Sequence, residues 1–178
     1  MEELLDGNEQ AFYTAVMAGQ SYIEIPCKSA LNRVHGMPFA WSLNPYRGCA
    51  HGCQFCYARV THMYFDLGPG DDFRRVIFVK VNAPEVLRRE LGRPSWRRER
   101  VAIGTASDPY QPIEGRYRLT RRCLEVFADY ASPCSLTTRG TLVVRDLDVL
   151  QALQARTEVS VHISLITLDP HLARRLEP

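Results

Sequence analysis

The chain is 178 residues long, 46% apolar and 24% charged, with a formal net charge of +2. That balance suits one globular domain with a sizeable core. No run of 18 or more apolar residues occurs, which excludes a membrane-spanning helix, and so small a net charge does not itself demand a nucleic-acid partner.

The N-terminus, Met1-Glu2-Glu3-Leu4-Leu5-Asp6, is acidic and lacks a charged-then-apolar leader pattern, so a cytoplasmic location is expected. Residues 1–38 read as an extension packed on a core domain spanning 39–178. Within the extension, Phe12, Val16 and Met17 lie near helical spacing and predict a short helix between Glu9 and Gly19. Ser21 to Pro26 reads as extended and Leu31 to Gly36 as a connector.

From Phe39 the pattern alternates. Phe39 to Leu43 predicts a strand, followed by a cysteine-rich loop. Val60, Met63, Tyr64 and Leu67 then fall at i, i+3, i+4 and i+7, which predicts a helix with those side chains in the core. Val76 to Val81 is a nearly continuous apolar run, as in a strand covered on both faces. Pro84 opens a helix through Leu91, placed where a missing N–H costs nothing. Val101 to Thr105 is a third strand, and Thr120 is a candidate cap for the helix carrying Leu124, Val126 and Phe127. Cys134 to Thr138, a helix from Asp146 to Arg156, and a strand from Val159 to Ile166 follow. Asp169-Pro170 starts a last helix. Five strand–helix units of about thirty residues each predict an α/β fold with a parallel sheet. In such folds the chemistry lies at the carboxyl ends of the strands.

The loop after the first strand carries Cys49, Cys53 and Cys56 in C-x3-C-x2-C spacing. Three thiolates so close can converge on one metal centre, and Gly48 and Gly52 allow tight turns. Arg47, His51 and Arg59 favour the thiolate form. A structural zinc ion wants four protein ligands, which would recruit His51, His35 or His62. A [4Fe-4S] cluster takes one ligand per iron, so three cysteines leave one iron open to an outside molecule. Both readings stand on the residues alone.

The spacing C-x3-C-x-aromatic-C, with Phe55 as the aromatic, resembles the signature of the radical S-adenosylmethionine (SAM) superfamily. The longer string Tyr46-Arg47-Gly48-Cys49, His51, Cys53 and Phe55-Cys56-Tyr57-Ala58-Arg59 resembles the branch related to spore photoproduct lyase, as does Ser107 to Glu114. That resemblance implies a parallel-stranded partial TIM barrel of six units. Five are present, so a C-terminally truncated core is expected. It implies that Cys49, Cys53 and Cys56 hold a [4Fe-4S] cluster and that SAM binds its open iron. Phe55 and Tyr57 would then lie near the adenine and Asn82 near the SAM amino group, with Ser107, Arg139 and Ser164 meeting ribose and carboxylate. Reductive cleavage of SAM would give a 5′-deoxyadenosyl radical that takes hydrogen from a substrate. A barrel interior lined by Val, Ile and Phe would shelter it. The implied partners are an electron donor such as flavodoxin or ferredoxin and, by analogy with the lyase, a DNA lesion. The densest basic stretch, Arg88 to Arg100, reads as a solvated helix end with interleaved Glu rather than a phosphate track. The rival readings are a zinc-bound interaction module and an inactive remnant of the enzyme.

Overall fold

A computed structural model describes residues 14–17 and 19–177. In chain order its strands are β1 (Thr14–Met17), β2 (Gln20–Ile25), β3 (Leu31–Arg33), β4 (Trp41–Leu43), β5 (Tyr46–Arg47), β6 (Val76–Lys80), β7 (Val101–Ile103), β8 (Cys134–Thr138) and β9 (Val159–Ile163). The helices are α1 (Asp72–Arg75), α2 (Ala83–Leu91), α3 (Glu114–Tyr117), α4 (Leu119–Asp129), α5 (Leu147–Gln154) and α6 (Pro170–Leu176), with 3-10 helices at Tyr57–Phe65 and Thr141–Asp146. Two sheets result, in the orders β1-β2-β6-β5 and β3-β4-β7-β8-β9. The pairs β2–β6, β4–β7, β7–β8 and β8–β9 are parallel, and three pairs are antiparallel. The fold is therefore mixed α/β with mostly parallel strands.

Several expectations change. Residues 14–17 are a strand, not a helix. They turn back onto β2 through Gly19, whose φ of +80° closes the hairpin. The rest of the predicted helix, residues 9–13, lies outside the described residues. Leu31–Arg33 is a strand rather than a connector, and β2 runs beside β6. So the segment before residue 39 contributes to both sheets. It is tied further by Glu90, whose carboxylate accepts from Ser29 Oγ and from Ala30 N and Leu31 N at 3.1 and 2.9 Å. The second of the five expected strands, β6, does not join the sheet of the other four, because β2 and β5 occupy its two edges.

The second sheet has two different faces. Leu31, Leu43, Ile103, Leu136 and Val161 stand in register across it, and all but Val161 are buried against α2, α4 and α5. That core includes Leu87, Leu124, Phe127 and Leu153, each with no exposed surface. Side chains alternate along a strand, so the opposite face carries Asn32, Ser42, Ala102, Ser135 and Ser160, again in register. This corrects the expected interior of Val, Ile and Phe. The apolar rows face the helices, and small or hydroxyl side chains face the other way.

Thr120 does not cap α4. Arg118 holds the cap position in the left-handed region, and Thr120 Oγ1 donates to Pro109 O at 2.6 Å. Asp169 does cap α6, accepting from His171 N and Leu172 N. Among the described residues, no helix is long and apolar enough to cross a membrane.

Candidate metal and cofactor site

The cysteine loop leaves β5 at Arg47 and ends in the 3-10 helix that starts at Tyr57. Gly48 has φ +81°, and a Cβ there would sit 2.6 Å from Val76 O and 2.9 Å from His62 Cε1. Only glycine fits such a place. Neighbouring segments then fix the loop by its backbone. Cys49 N donates to Phe73 O at 2.9 Å. Ser107 Oγ and Gln111 Nε2 both donate to Gly48 O, at 2.7 and 3.2 Å, and Gln111 Oε1 accepts from Ala50 N at 3.0 Å. Gln111 is fully buried. Arg59 Nε donates to Cys53 O at 2.9 Å, and its Nη1 reaches Pro69 O and Gly70 O.

Cys49, Cys53 and Cys56 line one cavity of about 320 Å³ with Met37, Phe39, Thr105, Thr137 and Arg139. Among the described residues, no three His, Cys, Asp or Glu side chains lie close enough to hold a single metal ion. Three cysteines from one loop match the three protein ligands of a [4Fe-4S] cluster that keeps one iron open, whereas a structural zinc ion wants a fourth donor. Zinc draws four donors to about 2.3 Å from one point, whereas a cubane takes one thiolate per iron and keeps the thiolates apart. The electrostatics differ from expectation at Cys49. Burial pushes its thiol up to about 12, against backbone hydrogen bonds that pull the other way. Burial also lowers His51, against the pull of Asp108, whose carboxylate lies 3.6 Å from Nε2.

The other predicted residues divide. Phe55, Tyr57, Ser107, Arg139 and Ser164 line the same cavity as the cysteines. Phe55 and Tyr57 are 51% and 69% exposed, and the Tyr57 hydroxyl donates to Thr105 O. The Ser107 hydroxyl is already engaged with Gly48 O. Arg139 directs Nη1 to Cys53 Sγ and Nη2 to Glu177. Asn82 does not line the cavity. Its amide clasps Cys27, accepting from Cys27 N at 2.7 Å and donating to Cys27 O at 3.1 Å. The expected core side chains of the 3-10 helix are outside too. Val60, Met63 and Tyr64 are 60–82% exposed, while His62 and Ala58 are buried.

Asp108 falls within the run from Ser107 to Glu114. Asp108 Oδ1 accepts from Tyr110 N at 2.8 Å and Thr138 Oγ1 at 2.6 Å, and Oδ2 accepts from Arg139 N at 2.9 Å. It ties the ends of β7 and β8 together. Gln111 was missed as the loop's clasp. Its place three residues after Asp108 was visible, but its partner 61 residues away was not.

Beneath this layer lies an ionic strut. Buried Glu114 accepts from the Tyr46 hydroxyl, Thr120 N and Arg145 Nη2. Asp146, also fully buried, accepts from the Tyr110 hydroxyl at 3.0 Å, Arg121 Nη1 at 3.1 Å and Arg145 Nε at 2.7 Å. Burial alone would raise the Asp146 carboxyl. Hydrogen bonds from Arg145, Arg121 and Tyr110 outweigh it and hold the group below its ordinary value. Tyr110 and Gln111 are adjacent, so the strut anchors the segment that clasps the loop. The basic stretch stands apart from all this. It precedes β7, at the end opposite the cavity, and Arg88 and Arg100 pair with Asp129 and Glu158.

A family model described as the radical SAM superfamily matches residues 43–178. An uncharacterized protein of Mycobacterium tuberculosis strain H37Rv is 48% identical over 162 residues, covering 89% of this chain and 48% of that protein. An uncharacterized protein of Methanocaldococcus jannaschii is 26% identical over 156 residues, 88% of this chain and 56% of its own length. One from Acidianus two-tailed virus is 30% identical over 142 residues, 78% of this chain and 46% of its own. The chain thus spans about half the length of the curated relatives it matches. No solved structure matches it significantly.

Proposed function

The chain belongs to the radical SAM superfamily, and from that premise we propose that it carries the cluster-binding part of an enzyme that cleaves SAM reductively. Cys49, Cys53 and Cys56 would each hold one iron of a [4Fe-4S] cluster. The observation that carries this reading is that Cys49, Cys53 and Cys56, in C-x3-C-x2-C spacing, line one cavity. Such a cluster would supply one electron to the sulfonium of SAM, so that its bond to C5′ breaks, methionine leaves and a 5′-deoxyadenosyl radical is available to take a hydrogen atom from substrate.

The chain's own residues orient and shelter. Gln111 and Ser107 hold the loop's backbone in shape. Phe55, Tyr57, Met37 and Phe39 give the cavity apolar walls on which an adenine can stack, and Ser164 adds a polar edge. Asn82 has no part in this scheme. The core would be a partial barrel of parallel strands, with residues 1–38 as its extension. All six cysteines are free thiols, which suits a reducing, cytoplasmic compartment and a one-electron donor such as a flavodoxin or ferredoxin.

The likeness to the spore photoproduct lyase branch makes a lyase reaction on a DNA lesion the first substrate hypothesis to test. The basic stretch does not support it, since none of its arginines lines the cavity. The deciding assay is anaerobic: iron-loaded protein, dithionite and SAM, with 5′-deoxyadenosine followed by chromatography. Production by the wild type and its loss in Cys53→Ala supports the proposal. Iron-loaded wild type that yields none points instead to an inactive remnant.

A further inference from the structure

We propose that the hydroxyl-lined face of the second sheet is the substrate surface, and that it takes an uncharged, hydroxyl-rich small molecule of the sugar or polyol class. The inference rests on the cluster reading above and names a substrate class for the cavity beside the cysteines.

Three observations converge on it. First, the face runs on from the cavity. Thr137 lines the cavity and stands in register with His162. Two residues earlier on the same strands, Ser135 and Ser160 form the next row with Ala102 and Ser42. Second, the polar groups of this face are unused. The side chains of Ser42, Ser135, Thr137, Ser160 and His162 bond no other residue among those described. Ser42 weighs most, because it is only 5% exposed. A buried hydroxyl without a partner costs free energy, and a polar ligand on this face supplies one. The next side chain along β8 shows the contrast. Thr138 Oγ1, on the opposite face, donates to Asp108 Oδ1 at 2.6 Å and accepts from Gly140 N at 2.9 Å. Third, Ser42, Ala102, Ser135 and Ser160 are small and leave room above the sheet. The row behind them, Leu43, Ile103 and Leu136, is packed tight against the helices.

The ligand class follows from donors, acceptors and charge. A hydroxyl both donates and accepts, and a neutral imidazole does the same through its two nitrogens. Neighbouring strands set such groups about 4.8 Å apart, and alternate residues of one strand about 6.6 Å apart. A compact molecule with several hydroxyls spans that grid. A phosphodiester wants cations, and an unpaired base wants an aromatic platform. The two rows contain no Lys, Arg, Phe, Tyr or Trp, and no Asp or Glu. A hydroxyl-bearing carbon also suits the reaction. When its hydrogen atom moves to C5′ of the deoxyadenosyl radical, one C–H bond breaks and one forms. The unpaired electron passes to the substrate carbon, where the adjacent oxygen stabilises it.

The test measures binding on the intact chain by saturation-transfer NMR titration. The probes are D-glucose, myo-inositol and glycerol, with the dinucleotide thymidylyl-3′,5′-thymidine as rival. At least one polyol should bind the wild type. Its affinity should fall about fivefold or more in Thr137→Val, and again in the double variant Ser135→Ala with Ser160→Ala, with circular dichroism unchanged. Polyol binding that either folded variant leaves unchanged overturns the proposal. So does dinucleotide binding that the variants weaken, or no signal from any polyol. If one variant fails to fold, the other decides alone. Binding to this face does not need the cluster, so the two readings fail separately. A chain that loads iron and sulfide but binds no polyol loses this proposal only. One that binds a polyol yet takes up no iron and sulfide loses the cluster reading and, with it, the substrate role.

Discussion

Between Gly48 and Phe65 most large side chains face solvent, Phe55, Tyr57, Val60, Met63 and Tyr64 among them, whereas around Glu114 and Asp146 the carboxylates are fully buried and multiply bonded. The first region carries the sulfur donors but has little packing of its own. The second carries no proposed chemistry yet is the better-anchored structure. Gln111 and Ser107 join them, one end on the strut's segment and the other on Gly48 and Ala50. The contrast teaches that the loop's shape is imposed from outside: its donors are placed by residues some sixty positions away in sequence.

Removing the strut should break the contrast most severely. Glu114→Ala leaves the Tyr46 hydroxyl and Thr120 N buried without their acceptor and takes from Arg145 one of its two carboxylate partners, a loss of about 3–5 kcal/mol, read as a fall in Tm of roughly 10 °C. Gly48→Ala attacks the loop directly. A left-handed φ and a clash with Val76 O together cost about 2–4 kcal/mol, and iron uptake should fall with stability. Gln111→Ala sharpens the comparison because it cuts only the link. It should cost about 1–3 kcal/mol, with circular dichroism unchanged and iron retention reduced.

Acid offers a gentler probe of the strut. Asp146 is held below its ordinary value, so its stabilisation is complete above the unfolded carboxyl value of about 3.9 and is lost as pH falls through the lower folded value. Acid unfolding followed by fluorescence should therefore show a steeper loss below about pH 4 for wild type than for Asp146→Asn. Smallest of all, Met63→Ser and Tyr64→Ser should change stability by no more than about 0.5 kcal/mol, since both side chains are exposed. A large effect there would show that the loop region has packing the contrast denies it.

How much of this was readable from residue order depended on the range of the interaction. The strands at 76–80, 101–103 and 134–138 and the cap at Asp169 were legible, because apolar runs and Asp-Pro act locally. So were the three cysteines, which share one loop whatever surrounds it. The 3-10 helix was misread as a core helix. Periodicity reports that Val60, Met63 and Tyr64 share a face, not that anything covers it. Asn82 looked like a strand-end site residue, but its partner Cys27 lies 55 positions earlier. The hydroxyl-lined face of the second sheet needed the register of five strands, which no single segment encodes. Arg139 follows the predicted strand at 134–138, so its position after β8 was legible. Its backbone N–H is held by Asp108, a contact across 31 positions that residue order hides.

The central claim is that Cys49, Cys53 and Cys56 share a cluster instead of a single ion. The direct measurement is iron, acid-labile sulfide and zinc per chain after anaerobic reconstitution, with Cys53→Ala alongside. About four irons and four sulfides per wild-type chain, with marked loss in Cys53→Ala, is the predicted result. One zinc per chain with no retained iron, or iron and sulfide unchanged by Cys53→Ala, would contradict it.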